Sequence, residues 1–399
     1  MKPQLRILHL SSYVGMSSFG IGSVVLNLAR SQQSLGYQAE IWSCDGNAEA
    51  RALEEQNHLL PNSIRTFPVV GPSRLAYSPA LENALIQNAN RFDLIHQHGI
   101  WTAISRAVNK WRVRTGKPTV IAPHGSLNAL ALRRSAWKKR LALFYYEREN
   151  LQKASCLHAL SRREAEGFRA FGLKNPIAII HNGISEDWIC QQGDECAFRE
   201  RFGLPEKIRL LFFLGRITPI KGLTLLLQAM SALRPCLKNW KLIIAGVDEF
   251  NHQKELKSLA VKLSLESHIQ FVGPLYGKLK RDAFAAVDLF VLPSYSEASP
   301  MAILEALGAG VPVLATNASS WQEIVTLGCG WLTDISEIGI RKALNEAINT
   351  PREVLREMGQ RGKALVAQKY TMNIIAEKVI YLYNWLLKRE EKPSFLIDE

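Results

Sequence analysis

Short apolar runs alternate with longer amphipathic stretches along almost the whole chain, and this alternation limits the fold more than any other feature of the sequence. The runs are bounded by Gly, Pro or Ser and lack the two-residue alternation of half-exposed strands. This pattern is typical of parallel strands that are covered on both faces. The stretches between them, for example residues 24–35 and 137–151, have helical periodicity. The sequence therefore predicts repeated β-α units in doubly wound α/β domains.

The β-α pattern occurs twice along the 399 residues, so we expect two such domains in series. An N-terminal domain is predicted over residues 1–185 and a C-terminal domain over residues 186–369. The segment 370–399 carries too much apolar surface for a free tail, and we expect its helix to cross back onto the N-terminal domain. The predicted strands are residues 5–10, 39–42, 94–96, 119–122, 156–159, 177–180, 210–214, 241–245, 269–272, 289–292 and 312–315.

The formal net charge of +13 belongs almost entirely to the first half of the chain. Residues 1–185 carry 23 Lys and Arg against 11 Asp and Glu, whereas residues 186–399 carry 26 against 25. The asymmetry indicates an anionic partner, which could be nucleic acid, an acidic membrane surface or a phosphorylated substrate. A surface made soluble by net charge explains the size of the excess but not its distribution. No apolar stretch approaches the ~18 residues of a membrane span, and the N-terminus has no signal-peptide core, so we expect a cytoplasmic protein.

Two cations follow one of the predicted strands of the second half. Strand 210–214 runs into Gly215 and Arg216, and Lys221 stands just before the next helix. Ligands of open α/β sheets bind beyond the carboxyl ends of the strands. Two cations beside a helix N-terminus are unfavourable unless an anion lies there too. A diphosphate would supply that anion, and a solvated basic loop is the alternative.

Two glutamates follow the predicted strand 289–292. Pro300 suits the first position of a helix, so Glu305 falls within the first turns of that helix, and Glu297 lies in the loop before it. A carboxylate among Ala, Ile and Leu needs a partner. The hydroxyls of a ribose would serve, as would an Arg in a salt bridge. The position at a strand end favours ligand binding.

Glycines and histidines mark the strand ends of the first half. Gly20 and Gly22 follow the first strand and would let a phosphate approach the backbone, although a tight turn without a ligand fits equally well. His98 and His124 each stand at the end of another strand. Either imidazole could hydrogen-bond a sugar hydroxyl or assist a proton transfer.

Two missing motifs also bear on function. The chain contains no D-x-D sequence, so no carboxylate cluster for a divalent metal is predicted, and Arg216 with Lys221 could provide the same charge stabilisation without a metal. It also lacks a G-x-x-x-x-G-K-[ST] loop, which argues against a nucleotide hydrolase.

Five segments in order resemble the retaining family 4 glycosyltransferases. They are DLIHQHGIW at 93–101, APHGSL at 122–127, IIHNGIS at 179–185, FLGRITPIKG at 213–222 and PSYSEASPMAILEALGAGVPVLAT at 293–316. The last contains the family's E-x7-E spacing in Glu297 and Glu305. The resemblance implies the GT-B fold, in which two Rossmann-like doubly wound domains face each other across a cleft.

The resemblance implies transfer of a hexose-type sugar from a UDP- or GDP-linked donor, with no further cofactor and no metal. The acceptor would be a saccharide or a lipid-linked saccharide of bacterial envelope, exopolysaccharide or glycolipid synthesis. Phe19-Gly20 and Ser299-Pro300 depart from the family's common Gly-Gly and Phe-Gly pairs. The resemblance implies four catalytic residues, His124, Glu297, Arg216 and Lys221. The implied donor-binding residues are Gly20, Gly22, Arg216, Lys221, Glu297, Ser299, Met301, Ala302 and Glu305. The implied acceptor-side residues are His98, Trp101 and His124.

Alternative functions could account for the predicted fold or for the basic charge of the first half. A GT-B sugar epimerase or phosphorylase would need the same fold with different chemistry, and a nucleic-acid-binding protein would need only the charge. Basic and aromatic residues alternate too sparsely for single-strand binding, so no nucleic-acid partner is expected. The basic and aromatic stretch 133–144 is instead suited to an anionic membrane surface, which predicts peripheral contact with the inner face of the plasma membrane. A solvated helix face remains the alternative there.

Overall fold

The computed structural model describes residues 4–15 and 20–398. The chain divides into two compact units. The first comprises Met1–Gly183 together with Met372–Glu399, and the second comprises Ile184–Thr371. The segment that follows residue 371 is thus part of the same unit as the beginning of the chain.

The sheet of the first unit has eight strands within the described residues. Its strands are β1 (Arg6–Ser11), β2 (Gln38–Ser43), β3 (Ile64–Thr66), β4 (Leu94–His98), β5 (Thr119–Ala122), β6 (Cys156–Ala159), β7 (Ile177–Ile179) and β14 (Leu396–Ile397). Their order is β14-β7-β6-β5-β4-β1-β2-β3, and all pairs are parallel except β14 with β7. The register places His9 opposite His96 and His98 opposite Ala122, which brings three neighbouring strand ends together.

Helices cover this sheet, and the last of them completes its core. Val25 and Ala29 of the first helix share one apolar cluster with Val379 and Tyr383 of the last. The helices of this unit are α1 (Ile21–Ser34), α2 (Asn47–Gln56), α3 (Pro79–Gln87), α4 (Ile104–Thr115), α5 (Ala129–Arg133), α6 (Ala136–Ala142), α7 (Arg148–Gln152), α8 (Arg162–Ala170) and α18 (Met372–Leu386).

The second unit has a six-stranded parallel sheet within the described residues. Its strands are β8 (Arg209–Leu214), β9 (Trp240–Ala245), β10 (Ile269–Gly273), β11 (Leu289–Leu292), β12 (Val313–Thr316) and β13 (Gly330–Thr333), in the order β10-β9-β8-β11-β12-β13. The helices are α9 (Glu186–Cys190), α10 (Glu195–Phe202), α11 (Leu223–Ala232), α12 (His252–Lys262), α13 (Gly277–Ala286), α14 (Met301–Gly308), α15 (Glu323–Thr326), α16 (Glu337–Asn349) and α17 (Arg352–Lys369). Strands β8 and β11 are neighbours, so the residues that follow them share one sheet edge.

The structure corrects several details of the predicted elements. Helix α1 begins at Ile21, three residues before the predicted start, so Gly22 lies inside its first turn. The predicted helix 137–151 is interrupted by a π-helical turn over Leu143–Glu147. Strands β3, β13 and β14 were not predicted, because β3 and β14 are very short and β13 mixes Gly, Trp and Thr, so none of them forms a distinct apolar run. Within the described residues, no helix combines the length and the apolar character needed to cross a membrane.

Candidate active site

The loop after β8 carries the two predicted cations on a constrained backbone. A 3₁₀ turn over Pro219–Lys221 leads into Gly222, which has a φ of 69° and precedes α11. A Cβ at Gly222 would overlap the carbonyl oxygen of Pro293, which follows β11. Only glycine fits this close approach and this φ. The loop is therefore held tightly against the end of the neighbouring strand.

Each cation has a carboxylate partner. Nη1 of Arg216 lies 3.0 Å from both carboxylate oxygens of Glu249. Nζ of Lys221 donates to Oε1 of Glu297 at 2.5 Å, and the hydroxyl of Ser294 donates to the same oxygen at 2.6 Å. Contrary to the expectation from the sequence, these cations do not depend on a ligand anion for balance, because two glutamates balance them. The Arg216 side chain is 41% exposed, whereas that of Lys221 is 15% exposed.

Glu305 also has a cationic partner, and it is a lysine. Nζ of Lys280, in the first turns of α13, lies 2.7 Å from Oε1 of Glu305 on α14. The Lys280 ammonium also lies 4.9 Å from the ring centroid of Trp188. The indole N–H of Trp188 donates to the backbone carbonyl of Glu305 at 2.9 Å. The ribose hydroxyls expected at Glu305 would therefore meet a carboxylate that is already oriented.

The backbone at the start of α14 contains the other predicted donor-binding residues. Pro300 stands at the N-cap rather than at the first helical position, and no side chain among the described residues caps this helix. The amides of the first turn of a helix have no partner within the helix. Met301 and Ala302 are partly exposed there, and Ser299 directly precedes Pro300. This helix start can offer N–H groups to an anion or a hydroxyl.

In the first unit, His124 stands in a turn that a buried carboxylate holds. Its φ is 50° and that of Gly125 is 79°, both in the left-handed region. The Gly125 N–H donates to Oε1 of Glu164 at 2.5 Å, and the Leu160 N–H donates to Oε2 at 2.7 Å. Burial raises the pKa of Glu164. His124 therefore sits on a fixed backbone and is itself partly exposed.

Behind His124 lies a group of four further histidines, all buried. Nε2 of His124 is 3.1 Å from Nδ1 of His98, and Nε2 of His98 is 3.0 Å from Nδ1 of His9. His96 and His158 are joined at 3.3 Å. Desolvation lowers the pKa of all five imidazoles, to about 3 for His124 and about 4 for His9. The five rings are therefore neutral near pH 7.

Three of these rings have a spacing that could hold a metal ion. One ring nitrogen from each of His9, His96 and His98 lies within 4.8 Å of the others. Each of these nitrogens is also engaged in the hydrogen bonds of the cluster. His98 was expected at a strand end, but its grouping with His9 and His96 was not predicted, because β1 and β4 bring these residues together only through the strand register.

Trp101 follows the same strand as His98 and also adopts a left-handed backbone, with a φ of 72°. Its N–H donates to Oε2 of Glu147 at 2.7 Å, and its indole N–H donates to the carbonyl of Ser126 at 3.1 Å. Glu147 lies in the π-helical turn and is fully buried, and burial raises the pKa of its carboxyl to about 7. Glu147, which holds Trp101, was not predicted as a site residue from the sequence.

Gly20 is the N-cap of α1, with a φ of 104° that glycine adopts easily, and Gly22 is buried in the first turn. Ser17, Ser18 and Phe19, which complete the predicted glycine loop, lie outside the described residues.

Two family models together cover most of the chain. The model described as "Glycosyl transferase 4-like domain" matches residues 19–183, and the one described as "Glycosyl transferases group 1" matches residues 194–365. The chain belongs to the group 1 (family 4) glycosyltransferases.

Individual members of this family and of its fold agree with the assignment. D-inositol 3-phosphate glycosyltransferase 2 of Catenulispora acidiphila is 28% identical over an alignment of 337 positions that covers 77% of this chain and 76% of that protein. GDP-mannose:cellobiosyl-diphosphopolyprenol alpha-mannosyltransferase of Komagataeibacter xylinus is 26% identical over an alignment of 401 positions that covers 96% of this chain and 94% of that protein. The crystal structure of Anabaena Alr3699/HepE in complex with UDP-glucose has a TM-score of 0.76 at 21% identity, covering 96% of this chain and 100% of that one.

The predicted fold class is confirmed, because this glycosyltransferase contains two Rossmann-like α/β sheets and matches GT-B structures over nearly its whole length. The structure adds Glu249, Lys280 and Trp188 to the surroundings of the predicted donor-binding residues. One signal for Lys280 was present in the sequence. It is a cation in the first turn of a helix that has no acidic residue there, which is unfavourable unless a carboxylate lies nearby.

Proposed function

We propose that the chain is a retaining, metal-independent hexosyltransferase. It moves a hexose from a nucleotide diphosphate donor to a saccharide or lipid-linked acceptor of bacterial envelope polysaccharide or glycolipid synthesis. The observation that carries this proposal is the group of charges at the carboxyl edge of the second sheet. Arg216 and Lys221 lie there with Glu297 and Glu305, each side chain fixed by a partner.

In this proposal, the donor diphosphate binds Arg216 and Lys221 and draws them from their carboxylate partners. The exposed guanidinium of Arg216 reaches the phosphate most easily. Glu305 accepts hydrogen bonds from the ribose hydroxyls, and Glu297 contacts the donor sugar. The amides of Met301 and Ala302, in the first turn of α14, complete the phosphate and sugar contacts together with Ser299, as N–H groups at a helix start favour anions.

Catalysis then consists mainly of neutralising the charge that develops on the leaving diphosphate. The acceptor hydroxyl attacks from the side on which the diphosphate departs, and the leaving phosphate oxygen takes its proton, so the anomeric configuration is retained. Two cations directed at that oxygen provide the charge neutralisation that a bound metal ion provides in other enzymes. A well-aimed group of this kind is worth ~3 to 4 kcal/mol by analogy with oxyanion holes.

In the first unit, His124 contacts the donor sugar and the acceptor, and Trp101 lies on the acceptor side. His98, which was also expected there, is buried behind His124 with both ring nitrogens bonded to other histidines, so it does not touch the acceptor itself. Gly20 and Gly22 keep the predicted role of letting a phosphate approach the backbone at the start of α1. The left-handed backbone at His124 and Trp101, which is held in both cases by a buried glutamate, supports a functional role for these two turns.

A thermal-shift panel of UDP, GDP and ADP with their hexose conjugates tests the donor class. UDP-glucose is bound by the structurally similar Anabaena protein, and the Komagataeibacter relative is named for GDP-mannose, so one of these two nucleotides is expected to bind. A nucleotide at ~100 times its dissociation constant stabilises the folded state by ~2.7 kcal/mol. Conversion of the sugar nucleotide without an acceptor would point instead to an epimerase.

Arg216→Ala is expected to abolish the stabilisation by the preferred nucleotide. Lys238→Ala is the matched control, because Lys238 is an exposed cation that precedes β9 and so stands at the opposite, amino edge of the same sheet. Equal stabilisation of the two variants would overturn the proposed diphosphate site.

The same proposal includes an anionic membrane surface as the place where the acceptor is met. In the segment 129–148 the side chains of Trp137, Phe144 and Tyr145 are 64%, 83% and 74% exposed. They stand among the exposed cations Arg133, Arg134, Lys138, Arg140 and Arg148. Exposed aromatic rings beside cations are typical of surfaces that lie on anionic bilayers.

Vesicle flotation tests this surface with and without anionic lipid. The wild-type chain is expected to float with anionic vesicles only, and Phe144→Ser is expected to weaken flotation. Phe250→Ser is the control, because Phe250 is an aromatic side chain of similar exposure, 69%, in the second unit. Equal binding to neutral and anionic vesicles would refute the membrane contact.

A further inference from the structure

The function proposed above uses His124 directly, yet this imidazole is the outer end of a chain of hydrogen bonds. The chain runs inward from His124 through His98 to His9, with N···N distances of 3.1 and 3.0 Å. It ends at Gln32, whose amide oxygen Oε1 lies 2.7 Å from Nε2 of His9. His9, His98 and Gln32 are all buried.

The inner end of the chain fixes where every proton lies. An amide oxygen only accepts hydrogen bonds, so Nε2 of His9 carries its proton. Each ring is neutral and has one proton, because desolvation lowers the pKa of all three imidazoles. Nδ1 of His9 is therefore bare and accepts from Nε2–H of His98. By the same count, Nδ1 of His98 is bare and accepts from Nε2–H of His124.

His96 and His158 form a second branch of the hydrogen-bond network, and this branch also ends at an oxygen that only accepts. Nε2 of His158 donates to the carbonyl oxygen of Ile180 at 2.7 Å. Nδ1 of His158 then accepts from Nε2–H of His96 at 3.3 Å, and Nδ1 of His96 accepts from the hydroxyl of Tyr383 at 2.6 Å. Every ring nitrogen of His9, His96 and His98 thus has a hydrogen-bond partner, and the buried group is satisfied without a cation.

We propose that His9 and His98 are positioning residues for His124. Together with Gln32 they hold it in the Nε2–H tautomer, so that its bare Nδ1 is presented as a hydrogen-bond acceptor for a sugar hydroxyl. Nδ1 of His124 bonds to no residue in the described part of the chain, and His124 is the partly exposed member of the group. This inference rests on the proposed function for the identity of the hydroxyl. The tautomer itself follows from the hydrogen bonds and from the neutrality of the buried rings, and does not depend on the proposed function.

The ¹⁵N shifts of the imidazoles test the tautomer without any assay of activity. The full-length chain is labelled with [¹⁵N]histidine, and the signals of His124 are assigned by their loss in His124→Asn. Between pH 6 and pH 8 we expect a protonated Nε2 and a bare Nδ1. A protonated Nδ1 in the wild-type chain would overturn the inference.

Two substitutions of His98 separate positioning from packing. In His98→Asn the side-chain oxygen can take the place of Nδ1 and accept from His124, whereas the longer side chain of His98→Gln reaches the Nε2 position and leaves His124 without an acceptor. We expect His98→Gln to give a mixture of His124 tautomers and to lower kcat about 10- to 100-fold. His98→Asn is expected to restore the single tautomer and most of kcat.

His158→Gln is the matched control, because it removes the same kind of acceptor from the other branch. It is expected to lower thermal stability as much as His98→Gln while His124 keeps its tautomer. An equal loss of kcat in both glutamine variants, with the His124 tautomer unchanged, would show that His98 has only a structural role and would overturn the inference. A wild-type protein with the expected tautomer but without transferase activity would refute the proposed function and leave the positioning intact.

Discussion

Glu147 allows a quantitative test of how burial in the first unit raises the pKa of a carboxyl group. Burial raises its pKa from an ordinary 4.5 to about 7, and the hydrogen bonds from the Trp101 N–H and the Ser105 hydroxyl offset only part of that rise. A difference of about 2.5 pH units corresponds to about 3 kcal/mol. Glu147→Gln removes the titration and keeps an oxygen that can accept both hydrogen bonds.

The sign of the effect follows from the raised pKa. Between about pH 4.5 and pH 7 the unfolded chain loses the Glu147 proton while the folded chain keeps it, so stability is lost as the pH rises through this window. The difference in the free energy of unfolding, Glu147→Gln minus wild type, is therefore expected to increase by about 2 to 3 kcal/mol as the pH rises from 5 to 8.

Urea unfolding of both proteins at pH 5, 6, 7 and 8 measures this difference. All groups that the two proteins share cancel when one curve is subtracted from the other. A difference that stays constant across this range would show that Glu147 is ionised in the folded state, and the account of the Trp101 turn given above would fail.

Three further substitutions probe the second unit. Gly222→Ala is expected to cost at least about 2 kcal/mol of unfolding free energy, because a Cβ meets a carbonyl oxygen there; Gly203→Ala, with a similar φ of 61° and open space, should cost less. Lys280→Met is expected to destabilise by about 3 kcal/mol by leaving Glu305 unpaired, and adding Glu305→Leu should recover most of the loss. Lys221→Ala is expected to lower kcat/KM for the donor about 100- to 1,000-fold in a steady-state transfer assay.

Each of these three has a result that would contradict it. Equal costs at the two glycines would mean that the overlap at Gly222 is relieved by a backbone shift. A double variant no more stable than Lys280→Met would mean that the Lys280–Glu305 pair is not what keeps the carboxylate in place. An unchanged rate for Lys221→Ala with a verified donor would remove this lysine from the diphosphate site.

The alternation of apolar runs was sufficient to predict the α/β architecture and the central strands. Strands such as Thr119–Ala122, Cys156–Ala159 and Leu289–Leu292 coincide with their predicted ranges because every residue in them is buried and most are apolar. The edge strand Gly330–Thr333 is only half-buried and mixes Gly, Trp and Thr, so its pattern is not distinctive. The break in the predicted helix 137–151 had no local signal either.

The predicted site residues stand at strand ends, where sequence motifs are informative. The partners of these residues were harder to foresee. Glu249 and Lys280 come from loops and helices distant in sequence from Arg216 and Glu305, and the sequence gives no distance between them. Likewise, His9 could be recognised as part of the histidine group only once the register of β1 against β4 was known.

The first unit is assembled from the two ends of the chain, with residues 184–371 inserted between them. During synthesis the apolar surface of α1 stays uncovered until α18 packs on it, and α18 leaves the ribosome only after the whole second unit has been made. The first unit is thus exposed to aggregation and to chaperones for longer than its position in the gene suggests. A nonsense codon just before residue 372 would spare the second unit and leave the first one unable to finish folding.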